Sequence, residues 1–241
     1  MTETAKNGIL LIDKPTGMRS TDCVNRVRRA LGRDENGKRR RVGHAGTLDS
    51  TASGLLVLLV GKATKLSDAI MSMPKEYHAT FRLGRATDTC DASGQTVFEG
   101  DYRNVTDADV SRAMFSFLGW RMQRPPEISA VKLNGRPAHK LARAGQEVNI
   151  TPRPVFIRHI SCSPLEDGRL GVRVRCGRGT YIRSIARDLG TKLGCGAHVE
   201  QLRRVSVGPF RVEDAASPES VIENPETARL IAPEEAAEER P

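Results

Sequence analysis

The sequence predicts an α+β fold built on a mixed sheet. Three observations point there. Segments with a two-residue apolar period alternate with segments of 3.6-residue period, and no regular βαβ repeat orders them. The 241 residues are enough for one sizeable core without disulfide or metal staples. No apolar run approaches the roughly 18 residues needed to span a membrane.

The elements follow in order. Ile9-Leu-Leu-Ile-Asp13 reads as a short buried strand that stops at Lys14-Pro15. Ser20 stands before a helical pattern with Val24, Val27 and Leu31 on one face, which marks it as an N-cap. Arg33 to Arg41 is a basic loop, and Gly43 to Gly54, with three glycines, an irregular one. Leu55 to Val60 is a buried strand, and Ala63 to Met73 a helix ending at Pro74. Lys75 to Leu83 alternates around Tyr77, Ala79, Phe81 and Leu83 as a half-buried strand. Thr106 with Asp109 makes a capping-box variant ahead of Val110, Met114 and Phe117. Leu170, Val172, Val174 and Cys176 again alternate; Gly177-Arg-Gly-Thr then turns into a helix carrying Ile182, Ile185 and Leu189. Val199 to Val207 is the last strand.

Charge divides the chain unevenly. Before Arg211 there are 35 bases and 20 acids; from Arg211 on, three bases and nine acids. A body of +15 is the footprint of a protein that meets a polyanion, although a merely basic soluble protein has the same composition. Residues 1–212 are read as one domain. Residues 121–152, rich in Pro and Gly with Lys132, Arg136, Lys140 and Arg143 between, form a basic excursion from the sheet. Residues 213–241 are read as an acidic, mobile tail. The five cysteines contain no Cys-x-x-Cys pair, which argues against a disulfide framework or a local zinc site. The N-terminus has no signal-peptide core, so the cytoplasm is expected.

Val42-Gly-His-Ala-Gly-Thr-Leu-Asp49-Ser-Thr-Ala-Ser-Gly54 is the most informative stretch. Glycines let a backbone turn sharply and approach a ligand. Asp49 is its acid and His44 its imidazole. On composition alone it reads equally well as a connection whose aspartate caps the next element. A triphosphate loop does not fit: Gly61-Lys62-Ala63-Thr64 lacks the upstream glycine and the adjacent Lys-Ser/Thr.

Gly43 to Asp49 resembles the catalytic-aspartate motif of the TruB family of pseudouridine synthases. Four further regions agree in order. They are Leu11-Ile-Asp-Lys-Pro-Thr-Gly17, Lys75-Glu-Tyr77, Pro125-Pro126 with Ser129-Ala-Val-Lys132, and Gly179-Thr-Tyr-Ile-Arg183 followed by Leu202-Arg-Arg204. The likeness covers about residues 8–210. The chain departs from it at Ser50-Thr-Ala-Ser-Gly54, where relatives commonly have Pro-Leu-Ala-Thr-Gly. It departs also at Ile128 and His139-Lys-Leu-Ala-Arg143, where tyrosines are usual, and in having an acidic tail where many relatives carry a further RNA-binding domain.

The resemblance implies a pseudouridine synthase fold: a central mixed, mainly antiparallel sheet flanked by helices, with a thumb-like insertion at 121–152. It implies an isomerase that converts the T-loop uridine of tRNA, conventionally position 55, to pseudouridine. Asp49 would be the reacting group and Arg183 its cation partner. Tyr77 would stack on the flipped base, Tyr181 and Leu202 would line the uracil pocket, and His44 would enter the RNA loop. Lys132 and its neighbours would grip the T arm. Nothing is oxidised and no group is donated, so no cofactor or metal is expected. The expected partner is tRNA; a monomer without an obligatory protein partner or membrane contact follows. Two other readings compete, a non-catalytic RNA-binding or tRNA-folding module and a guide-RNA-dependent relative. Asp49, Arg183 and Tyr77 together argue against the first, and the tail supplies no further domain for the second.

Overall fold

The structure, a computed structural model, describes residues 7–34, 36–129, 132–133, 136–137 and 150–232. In chain order, β1 is Gly8–Lys14, α1 Ser20–Ala30, β2 Val42–His44 and β3 Ser53–Val60. A 3₁₀ segment Gly61–Leu66 leads into α2, Ser67–Ser72. Next come β4 (Lys75–Leu83), β5 (Arg85–Thr87), β6 (Thr96–Glu99), α3 (Asp107–Phe115) and β7 (Gly119–Gln123). Lys132–Leu133 and Arg136–Pro137 are β8 and β9, paired antiparallel. β10 is Arg153–Cys162, β11 Arg169–Cys176, α4 Ile182–Leu193, β12 Ala197–Val207, β13 Phe210–Arg211 and α5 Pro218–Glu223. The chain forms two compact units, Met1–Glu76 with Arg203–Pro241, and Tyr77–Leu202.

In the first unit β1 and β3 pair antiparallel from Gly8↔Val60 to Lys14↔Gly54. β1 occupies one edge of β3. The other edge takes β2 at Leu58–Val60 and, in parallel, β12 at Ser53 and Gly54. β3 is buried on both faces, which is why it reads as an unbroken apolar run and not as an alternation. Leu55, Val57 and Leu59 pack with Ile9, Leu11, Ile70 and Val207, while Leu56, Leu58 and Val60 are as deeply buried on the opposite face. α1 buries Cys23, Val24 and Val27 and packs against α5.

In the second unit the strands lie in the order β12, β4, β11, β10, β7. β10 pairs antiparallel with β11 and with β7, and a register shift falls between Ile157 and His159. One sheet face carries Ala79, Phe81, Val172 and Val174 against Val110 and Met114 of α3 and Ile182, Ile185 and Leu189 of α4. The Thr106–Asp109 capping box is formed as predicted.

Several predicted elements differ. Ser20 is the first helical residue, Arg19 holds the cap position, and the Ser20 hydroxyl goes elsewhere, as described below. Residues 61–72 begin as a 3₁₀ turn instead of a single α-helix. The excursion expected from 121 begins later, because β7 continues to Gln123 on the edge of the sheet, and β10 takes the chain up again at Arg153. Within that excursion residues 130–149, Lys140 and Arg143 included, lie outside the described residues apart from β8 and β9. Residues 212–232, placed in the mobile tail from 213 on, carry two 3₁₀ turns, α5 and two attachments to β1. Ala216 exchanges backbone hydrogen bonds with Leu11 and Asp13, and Ile231 with Ile9, at 2.8–3.0 Å. Residues 233–241 lie outside the description.

Where β3 meets β12, Gly54 has φ +103° and a Cβ there would stand 2.2 Å from the Arg204 carbonyl oxygen. Only glycine fits both the conformation and the approach. Gly54→Ala should therefore lose about 3 kcal/mol of stability from overpacking and backbone strain combined. Chemical denaturation measures it, and an unchanged midpoint would contradict the close parallel pairing.

Candidate active site

Asp49 lies half-buried in the loop between β2 and β3. Such a loop turns carbonyl groups inward, and each must find a donor. Three side chains of the first unit supply them. The fully buried Arg204 donates through Nε to Leu55 O at 2.8 Å and through Nη2 to Gly46 O at 3.0 Å. The Ser20 hydroxyl donates to Leu48 O at 2.7 Å and accepts from Leu48 N–H at 2.9 Å, clasping the residue before Asp49 on both sides. Lys14, with no exposed surface, donates from Nζ to Ala52 O at 2.6 Å, Met18 O at 2.8 Å and Pro15 O at 2.9 Å. The Gly17 N–H donates to Ser50 O at 2.7 Å. The segment around Asp49 is thereby fastened on both sides, and the loop is a rigid mount for one carboxylate.

The electrostatics follow from two buried cations under that loop. Burial pulls the Lys14 ammonium down to about 8; the charges of Cys23 and Asp49 work against this and that of Arg204 adds to it. His44 ends β2 and is half-buried, with its Nδ1 unbonded among the described residues. Burial, and then the charge of Arg204, lower its pKa below 6.5. The imidazole is accordingly neutral at physiological pH.

The second unit holds the other predicted residues. Arg183 sits in the first turn of α4 and is buried. Its Nη1 donates to Thr89 O at 2.9 Å and its Nη2 to Ile128 O at 3.1 Å, and its Nε lies 4.0 Å from Asp91 Oδ2. Asp91 accepts from the Thr89 hydroxyl at 2.7 Å and from Ser93, at 2.6 Å from the hydroxyl and 3.0 Å from the N–H. Burial acts to raise the Asp91 pKa, but these bonds together with the Arg183 charge outweigh it and hold the group low. Tyr181 occupies the cap position of α4. Its N–H donates to Gln123 Oε1 at 2.8 Å, and its carbonyl accepts from Gln123 Nε2 at 3.1 Å. Tyr77 and Leu202, both half-buried, pack against the core under α3 and α4. Lys132 is on β8, and its side chain lies outside the described residues.

His44 and Asp49 thus share one strand–loop segment of the first unit, and Tyr181 and Arg183 share one helix start of the second. Sequence reasoning did not single out Lys14, Ser20, Arg204, Asp91 or Gln123 for these tasks. Lys14 and Arg204 lie inside the motifs that carry the resemblance, so a signal existed. Asp91 stands in no motif, and only its serine and threonine two positions away hint at a local hydrogen-bonded turn.

The low pKa of His44 has a sign. As pH falls through 6.5, the unfolded chain takes up a proton that the folded chain refuses, so this group lowers stability at acid pH. NMR titration should place the His44 midpoint below 6.5, and His44→Gln should flatten the acid side of the stability curve. A midpoint at or above 6.5 would contradict the burial argument.

Comparison with known proteins gives the lineage. Residues 33–182 match the family model for the TruB family pseudouridylate synthase (N terminal domain), and residues 183–237 that for the tRNA pseudouridylate synthase B C-terminal domain. The chain is 42% identical over 215 residues to the tRNA pseudouridine synthase B of Opitutus terrae, covering 89% of this chain and 87% of that one. It is 45% identical over 216 residues to that of Ruegeria pomeroyi, covering 89% and 69%. Among solved structures, a crystal structure of a Cbf5-Nop10-Gar1 complex has a TM-score of 0.69 at 29% identity, covering 91% of this chain. The chain spans 55% of that structure's chain. The chain belongs to the TruB family of pseudouridylate synthases.

Proposed function

We propose that this protein isomerises the T-loop uridine of tRNA, position 55, to pseudouridine, with Asp49 as the reacting carboxylate. The observation that carries the reading is the Asp49 loop: the family's aspartate motif, fastened on either side of the acid by Ser20, Arg204 and Lys14. Relatives at 42% and 45% identity named tRNA pseudouridine synthase B support the substrate.

The reaction breaks the bond from ribose C1′ to uracil N1 and forms one from C1′ to C5. The hydrogen on C5 leaves to solvent and N1 gains a proton, so atoms and electrons balance without a redox partner. A carboxylate can act on the sugar, act on the base, or take a sugar proton; all three require it unprotonated. In this reading Arg183 is the cation that holds Asp49 in that form. The base must first leave its stack, and Tyr77 supplies an aromatic face in exchange. Tyr181 and Leu202 line the uracil pocket and His44, neutral, enters the RNA loop. Lys132 and the insertion contact the T arm through phosphates. The protein works as a monomer in the cytoplasm without an obligatory partner.

Tritium release from tRNA carrying 5-tritiated uridine reads the C5 step directly. Asp49→Asn should abolish it while tRNA affinity persists, because Asn is nearly isosteric but is neither nucleophile nor base. Release at the wild-type rate by this variant would overturn the assignment. Arg183→Met should cut the rate by a hundredfold or more, for a loss of about 3–5 kcal/mol at a buried ion pair, and move the acid limb of the pH–rate profile upward. An unmoved limb would break the proposed pairing. Tyr77→Ala should lose more than Tyr77→Phe, since a base–aromatic stack is worth about 1–3 kcal/mol. Equal losses would assign the role to the hydroxyl.

A further inference from the structure

The sheet of the second unit has two faces, and the site residues use one. On the edge strand β7, Gln123 turns toward Tyr181, and Arg121 lies over the Phe117 ring at 4.4 Å and 3.8 Å from Asp188 of α4. Alternation then sends Trp120 and Met122 to the opposite face. There they are 75% and 60% exposed. On β10, Phe156 is the register partner of Trp120, 37% exposed, with ring centroids 5.3 Å apart. On β11, Leu170, Val172, Val174 and Cys176 face the helices, so Arg173 and Arg175 share the outer face with Trp120. Arg158, the residue skipped by the register shift in β10, is exposed beside them.

Two features of this face stand against an ordinary solvated surface. Three large apolar side chains lie together in water on a strand edge, where burial of each would be favourable by about 2 kcal/mol. Arg158, Arg173 and Arg175 have no hydrogen bond or ion pair with any described residue. Glu200 of β12 is paired with Arg169 at 2.8 Å.

We propose that this outer face is a second RNA-binding surface, a platform for an unpaired stretch of RNA. Two bases would stack on Trp120 and Phe156, with phosphates on Arg158, Arg173 and Arg175. Charge complementarity selects the occupant. Guanidiniums without an ion pair among the described residues suit a polyanion, and an open aromatic pair suits a base whose face is free, which a duplex does not offer. Arg173 and Arg175 alternate on one strand and stand about 7 Å apart, so they reach separate phosphates. The proposal rests on the reading of the chain as an RNA enzyme only in naming RNA as the polyanion.

Trp120 is the single tryptophan of the chain, so tryptophan emission, excited apart from the tyrosines, reports on this face alone. The full chain is titrated with a twelve-residue oligouridylate and with a blunt RNA duplex of equal length. The single strand should quench Trp120 saturably and the duplex should not. Arg173→Gln with Arg175→Gln should weaken the quench and lower the log–log salt slope by about 1.4, at ~0.7 per lost contact. Trp120→Leu should weaken binding of a labelled oligouridylate by about 5- to 150-fold, the range of one lost base–aromatic stack. Tritium release from an isolated T-arm hairpin should be unchanged in all these variants. No quench, an equal quench by duplex, or a quench indifferent to the arginines overturns the proposal. An emission change that follows protein concentration without RNA does so too, by assigning the face to a second copy. Quenching in a protein that releases no tritium would leave this surface standing while the reaction assignment fell.

Discussion

Two buried cations govern the first unit. Arg204 and Lys14 are removed from water, and each donates to carbonyl oxygens of the chain in place of water. An isolated buried charge is costly, so neither cation could stay without those carbonyls, and the inward carbonyls could not stay without donors. The mutual dependence fixes the loop. It also sets the register of β3 on β12, since Arg204 is both the parallel partner of Gly54 and the donor to Leu55. A loop tied this way keeps Asp49 in one place.

The second unit solves a comparable problem at the start of α4. A helix start leaves N–H groups without intrahelical acceptors, and no side chain caps this one. Gln123, reaching from β7, brackets the Tyr181 peptide from both sides. Arg183 ties the same helix turn to the Thr89 and Ile128 carbonyls, and Asp91 stands beside its guanidinium. In both units polar groups are buried where the site residues are mounted, and the apolar cores carry the rest.

Much of this was legible in advance. The alternation in β4 and β11, the apolar run of β3 and the Thr106 capping box follow from local periodicity and local hydrogen bonding, and they form as expected. Features set by long-range contacts were not legible. Ser20 has the sequence signature of a cap, but Leu48, 28 residues away, takes its hydroxyl. β7 and β10 are extended because they pair with each other across the excursion, which no local pattern encodes. Residues 213–232 read as polar and loose, yet a few groups, Val221 and the Ile231 backbone among them, hold them in the first unit. The Asp49 loop stands out through its motif alone, since its composition reads equally as a cap. Asp91 was invisible, because only the fold brings Arg183 to it.

A carboxylate on a tightly fastened loop is what ties the fold to the reaction. The product is the most direct check on it. Unmodified tRNA transcript incubated with the protein is treated with a carbodiimide that marks pseudouridine and is read by reverse transcription. The account predicts one new stop, at the T-loop uridine, and none in the other loops. Stops elsewhere with the T loop unmarked, or no stop at all, would contradict it.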